Sequence, residues 1–376
     1  MLARVVAGSW ATYVNRPESK RILQLVSREE PGGVQVLTTM IESGFRSHGI
    51  DVDTVALIRS GSIGQRLGHL WQVAAHIFKG RYDAVFSYHA AAGLMMAIIG
   101  PIAGVEKRLS HLTAMPEAIR RRWRIMDKLA GVSGGYTDII ANSAATAAAY
   151  SQFPSAFRKR MRIIPHGVIP VAKATGQKDW RKALAISPQV KVMVAVGRLA
   201  PQKDHATVLK ALPQLPNLHF VIAGDGPLRQ ELASMASELK VHDRVHFLGS
   251  IDRAELGGVF AIADLYLSSS TWETFGLAAV EAQMAGLPIV ASDLPVLREV
   301  LGATGRERTL ILHPVGDAQA FVRAVETFLD NPPDARELEE VAEAARAHHG
   351  VDAMVQTYLD LLAEPDHSGS GRANGR

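Results

Sequence analysis

DLYLSSSTWETFGLAAVEAQMAGLPIVASD, residues 264–293, reads in turn as strand, loop, helix and strand. DLYLSSS is a strand ending in small polar residues, and LAAVEAQMA is a short helix. Gly286 stands where a helix end favours positive φ, and Pro288 stops the helix before strand PIVAS. TWETFG is therefore a loop at a strand's carboxyl end that feeds a helix N-terminus. Free amides there, at Thr274, Phe275, Gly276 and Leu277, make an anion site with no cationic side chain. Gly276 lets a phosphate come close to the backbone. With a helix start near Thr274, Glu281 lies about two turns in. A carboxylate there can accept both hydroxyls of a ribose diol, and Glu273 in the loop can reach a sugar beyond the phosphates. Taken singly, the two also fit a dipole-favoured acid and a solvated helical glutamate.

Outward from this stretch, short β-branched runs alternate with helix-length segments. RILQLVS, VDTVALI, DAVFSYH, RLSHLTA, DIIANS and RIIPHGV read as strands in the first half. VMVAVGRL, HFVIAGDG, VHFLGS, DLYLSSS, PIVASD and TLILHP do so in the second. Such alternation implies βαβ units and, with right-handed crossovers, two doubly wound parallel sheets of α/β class. Pro, Gly and charge in residues 169–180 mark a linker. The expected division is an N-terminal domain of residues 1–170, a C-terminal domain of residues 171–364 and a disordered tail of residues 365–376; residues 1–18 are expected to be flexible. Open α/β sheets bind ligands at the carboxyl ends of their strands, and two such sheets facing one another make a cleft.

The chain has 376 residues, 47% hydrophobic and 21% charged, which suits a soluble globular protein of two domains. No cysteine is present, which excludes disulfides, thiolate metal sites and a cysteine nucleophile and fits a cytoplasmic setting. Residues 1–170 hold 21 Lys and Arg against 11 Asp and Glu, whereas residues 171–376 hold 20 against 26. The halves thus expect different partners. The apolar run at residues 90–104 is too short to span a bilayer and contains Pro101, so it is expected to be a buried helix.

TWETFGLAAVEAQMAGLPIVASD resembles the donor-site signature of glycosyltransferase family 4, retaining enzymes of the GT-B fold. VGRLAPQKDHATVLKAL, FVIAGDGPLR and VHFLGS follow the family's order, and GGVQ and IIPHGV fit it too. The resemblance implies two Rossmann-like domains, the first for the acceptor and the second for a nucleotide diphosphate sugar. It also implies a last helix, residues 350–363, that packs back on the N-terminal domain. Arg198 and Lys203 would neutralise the donor diphosphate, as a planar fork and a flexible point charge are suited to do. Gly224 and Leu248 would approach the base and ribose. GDGPLR lacks the third glycine of a dinucleotide fingerprint, so those glycines read as a tight strand-to-helix turn. Gly32 and Gly33 would let a loop approach the diphosphate, although a plain loop-to-helix turn explains them as well.

His111, after strand RLSH, is the family's candidate near the sugar. Leu112 follows it where relatives have Gly or Asp, and His89 competes. His166 is assigned to the hinge. Arg120, Arg121, Arg122, Trp123 and Arg124 read as an amphipathic segment for an anionic membrane, which implies peripheral contact with the inner leaflet. No nucleic-acid motif accompanies the charge. The expected activity is transfer of a hexosyl unit to a glycan or lipid-linked acceptor, with no cofactor and no metal, because no divalent-ligand cluster stands out. A sugar-nucleotide epimerase or hydrolase on the same fold, and a silent sugar-nucleotide-binding module, are the alternatives.

Overall fold

The computed structural model describes residues 20–27, 33–58, 62–171 and 178–364. The expected flexible N-terminus, Gly32, half of the linker (residues 172–177) and the C-terminal tail lie outside these residues.

Among the described residues, twelve strands form two parallel six-stranded sheets. The first contains β1 (Arg21–Val26), β2 (Asp51–Ala56), β3 (Ala84–Tyr88), β4 (Lys107–His111), β5 (Asp138–Ala141) and β6 (Met161–Ile163), ordered β2-β1-β3-β4-β5-β6. The second contains β7 (Lys191–Val196), β8 (Leu218–Ala223), β9 (Val245–Gly249), β10 (Leu265–Ser268), β11 (Ile289–Ser292) and β12 (Leu310–His313), ordered β12-β11-β10-β7-β8-β9. Every strand read from the sequence is present.

The helices in the first stretch of chain are α1 (Gly33–Ser47), α2 (Ile63–Gly80), α3 (Ala90–Ile102), α4 (Arg121–Val132), α5 (Ala144–Ala149) and α6 (Ser155–Arg158). Then come α7 (Trp180–Ala183), α8 (His205–Ala211), α9 (Arg229–Glu238), α10 (Arg253–Ile262), α11 (Leu277–Met284) and α12 (Pro295–Gly302). The chain closes with α13 (Ala318–Asp330), α14 (Ala335–His348) and α15 (Val351–Ala363).

The second sheet shows why its strands read as continuous apolar runs. Val192, Val194, Tyr266, Ile289 and Ala291 face one core cluster, whereas Met193, Ala195, Leu265, Leu267 and Val290 face another. Alternate residues thus fill two cores, the signature of a parallel sheet covered on both faces.

The chain divides into two compact units, residues up to 111 with 125–138, and residues 112–124 with 139–364. Within the second unit, residues 139–171 are held to the C-terminal helices. The N–H groups of Ala144 and Ala145 each donate to Glu299 at 2.7 Å, Gly167 N–H donates to Met354 Sδ, and Val168 N–H donates to the carbonyl of His349.

The apolar run at residues 90–104 is a helix, but it is not buried all round. Ala92, Gly93, Met96 and Gly100 are buried, whereas Ile98 and Ile102 are exposed. The helix packs a single stripe inward, against β1, β3 and β4.

Candidate functional site

In the second sheet the chain proceeds outward from β7 to β8 and β9, then returns to place β10 on the other side of β7. The order therefore reverses between β7 and β10, and loops at their carboxyl ends diverge there, the position where open α/β sheets bind ligands. The loop after β7 carries Arg198 and Lys203, and the loop after β10 carries Glu273. Topology brings Lys203 and Glu273 together, with Arg198 on the same loop as Lys203.

The two loops are fastened to each other. Thr271 N–H donates to the carbonyl of Gln202, Gln202 Nε2 to the carbonyl of Trp272, and Ser269 Oγ to the carbonyl of Lys203. Within this frame Lys203 Nζ pairs with Oε1 of Glu273, which also accepts from Ser270 Oγ at 2.8 Å. Glu273 is buried at 7% exposure. Arg198, two residues beyond β7, is exposed. Gln202 escaped the sequence reading because its partner Trp272 lies 70 positions away, and Ser270, only three residues from Glu273, read simply as part of a small polar strand end.

The helix after the second loop starts later than expected. Gly276 adopts φ +86° and its carbonyl receives the amides of Ala279 and Val280, so α11 opens at Leu277 rather than near Thr274. Left-handed backbone at Gly276 ends the loop without helical turns. A Cβ there would stand 2.6 Å from Leu297 Cδ2. Glu281 is consequently the fifth helical residue, little more than one turn in.

Nor is Glu281 solvated: it is 9% exposed and pairs with Arg253. Burial pushes its pKa up, and the Arg253 charge pulls it back. Burial also raises the Tyr266 phenol, and the charges of Glu273 and Glu281 both add to the effect. Thr274 presents its carbonyl to Thr146 Oγ1 at 3.1 Å. Phe275 is buried against the rings of His166 and His349. Burial lowers both histidines to about 4, so neutral rings wedge the loop.

Gly224, in contrast, is explained by packing. Its φ is +153°, its N–H donates to the Gly249 carbonyl, and a Cβ would fall 1.9 Å from the Gly197 carbonyl oxygen. The turn after β8 thereby supports the backbone leading to Arg198. Leu248, half-buried on β9, packs against one of the two cores.

In the first unit the strand order reverses between β1 and β3. Gly33 opens α1 just beyond β1 and is exposed. His111 ends β4 but is buried, stacked on Tyr88 at 4.5 Å and beside Phe86, with Nδ1 near the Ser87 carbonyl. His89 is the exposed histidine, directly after β3, with φ +74°. Trp123 is half-buried and Arg122 lies over its ring, so the exposed apolar stripe of α4 is Ile125, Met126, Leu129 and Val132 instead. Residues 125, 129 and 132 share one helical face, a spacing the arginine-rich start of the segment obscured. Among the described residues no group of three or more His, Asp or Glu is placed to hold a metal ion.

Residues 176–347 match the family model described as glycosyl transferases group 1. The chain is 33% identical over 236 residues to a D-inositol 3-phosphate glycosyltransferase of Mycolicibacterium smegmatis, covering 60% of this chain and 53% of that protein. An alpha-monoglucosyldiacylglycerol synthase of Streptococcus pneumoniae is 31% identical over 150 residues, 37% of this chain and 34% of that protein. The chain thus spans about half the length of the first relative and a third of the second. Among solved structures, Anabaena HepE in complex with UDP and glucose shares the fold at a TM-score of 0.79 with 22% identity, over 92% of this chain and 99% of that one. The fold is GT-B, and the stretch that carries the second sheet is similar to glycosyl transferases group 1.

Proposed function

We propose that the chain is a retaining glycosyltransferase that moves a sugar from a nucleotide diphosphate sugar to a glycan or lipid-linked acceptor. The observation that carries this reading is the Lys203–Glu273 pair at the β7/β10 reversal, with Arg198 exposed on the same loop as Lys203 and Glu281 on the following helix. The named activities of the relatives and the UDP and glucose in the HepE complex agree with it.

Lys203 has three N–H donors and spends one on Glu273, leaving others for the diphosphate. Arg198 adds a second cation, and the uncapped start of α11 adds amides. Together these stabilise the charge that builds on the departing nucleotide. The leaving phosphate oxygen then takes the acceptor's proton in a front-face displacement, so the reaction needs no separate base. Glu281 binds the donor ribose, and Glu273 fixes Lys203 beside the sugar. The exposed His89 and the buried His111 remain the two histidine candidates on the acceptor side. An epimerase or hydrolase would need a further acid/base pair.

The test is a binding and transfer screen with UDP, GDP and ADP sugars, run in chelator. One class of donor is expected to bind and to turn over without metal. Glu281→Ala is expected to weaken nucleotide binding by about 10- to 100-fold, the loss of hydrogen bonds to a charged acceptor. Activity lost in chelator and restored by Mg²⁺ or Mn²⁺ would refute metal-free turnover. Unchanged binding in Glu281→Ala would refute the ribose role.

We further propose peripheral contact with an anionic membrane through α2, α3 and α4. Right-handed crossovers place these helices on the same face of the first sheet. They carry ten of the seventeen exposed large hydrophobic residues among those described, including Leu67, Trp71, Ile102 and Leu129, so the exposure is concentrated rather than scattered. Their only acidic residue, Asp127, is buried, whereas Arg66, Lys79, Arg121, Arg122, Arg124 and Lys128 supply positive charge. No described helix is long and apolar enough to cross a membrane, so contact would be interfacial. The protein is expected to float with phosphatidylglycerol vesicles at low salt and less so at high salt. Trp71→Glu with Leu129→Glu should abolish flotation. Equal flotation with purely zwitterionic vesicles, or none with either, would count against the proposal.

A further inference from the structure

Arg253 is the first residue of α10, and both prongs of its guanidinium are engaged. Nη1 donates to Oε1 of Glu281, and Nη2 donates to the carbonyl of Ile169. The Glu281 side chain is 11% exposed and that of Arg253 is 41%, so the carboxylate lies inside and the guanidinium stands at the opening. Arg253 also lines a cavity of about 330 Å³ with Pro170, Val171, Ala254 and Gly257. The cavity thus borders the guanidinium, while Glu281 lies behind it. Oε1 is the oxygen that Arg253 uses; Oε2 carries no hydrogen bond to a described residue.

A carboxylate that is to hold a ribose diol must keep one orientation with its remaining lone pairs available. A lone ion pair does this poorly, because a flexible arginine swings with its partner. Anchoring the second prong on a main-chain carbonyl removes that freedom, and a planar fork can do so where a lysine cannot.

We propose that Arg253 is a positioning residue for the donor ribose: tied to Ile169, it fixes the orientation of Glu281 so that the carboxylate's unused lone pairs accept the 2′- and 3′-hydroxyls. The guanidinium also offsets the cost of holding a carboxylate in a buried place, which a neutral residue at position 253 would leave uncompensated. This role rests on the reading of Glu281 as the ribose ligand.

Calorimetric titration of the full chain with UDP, GDP and ADP, each against its 2′-deoxy counterpart, tests it. Wild type is expected to bind one ribonucleotide and to prefer it to the deoxy form. Arg253→Met should weaken the ribonucleotide about tenfold or more, the loss expected when a hydrogen-bonded charged group is no longer held. It should also bring the ribose and deoxyribose affinities together, as Glu281→Ala should. Arg253→Lys should recover part of the affinity through charge but little of the preference. If Arg253→Met does not fold, the ribose preference of Arg253→Lys decides the same question. An unchanged preference in the variants overturns the role, and so does an equal loss for both sugars, which would make Arg253 a base or phosphate contact. A wild type that binds none of these nucleotides instead overturns the donor-site reading itself.

Discussion

Lys203→Met is expected to lower kcat/KM by about 100- to 1,000-fold, the scale seen when one preorganised charge-stabilising donor is removed. Two losses combine in that figure. The diphosphate loses a cation at the point where negative charge develops, and Glu273 loses the partner that fixes it. Because Glu273 is 7% exposed and otherwise held by Ser270 Oγ, the variant also leaves a buried carboxylate unpaired. Breaking such a pair from one side costs about 3 kcal/mol or more, whereas replacing both partners is often close to neutral. Lys203→Met with Glu273→Gln should therefore regain most of the stability of the wild type and little of its activity. Steady-state kinetics and thermal unfolding of the two variants, side by side, separate the roles. A double variant as active as wild type would show that the pair is only structural, and a single variant with unchanged kcat/KM would remove Lys203 from the chemistry.

Gly224→Ala is expected to destabilise the second unit by about 3 kcal/mol or more, because two penalties act at one atom. The backbone at φ +153° is one that side chains avoid, and the new Cβ would have to occupy the place of the Gly197 carbonyl oxygen. Relief requires moving the strand-to-loop turn at residues 197–199, which leads to Arg198. Leu199 N–H donates to Asp225 and Leu228 N–H to Leu199, so the turn cannot yield alone. A loss of about 6–12 °C in melting temperature follows from that energy for a unit of this size, accompanied by weaker donor binding. A melting temperature within a degree or two of wild type would show that the turn relaxes freely.

Much of this was written in local sequence. Period-two and continuous apolar runs marked all twelve strands, because a residue's place in a sheet covered on both faces depends on its own hydrophobicity and that of close neighbours. The string from Asp264 to Asp293 likewise announced strand, loop and helix, and Gly286 announced its left-handed turn. Other features were misjudged where local sequence says little. The helix start moved from Thr274 to Leu277, because a glycine cap decides it and not the polarity of the loop. The apolar run at α3 turned two isoleucines outward, because its amphipathicity is set by which stripe meets the sheet. Trp123 looked like a surface anchor among arginines, yet the exposed stripe of α4 lies further along the helix.

What the sequence determined by itself is the order of elements and the identity of the charged residues in the loops after β7 and β10. Which of them meet is settled by long-range packing alone. Glu273 pairs with Lys203, 70 positions away, because β10 returns to lie beside β7. Glu281 pairs with Arg253 because α10 and α11 both begin at carboxyl ends of strands in one sheet. Ion pairs of this kind depend on a crossover's destination, which long-range packing fixes and no local spacing records.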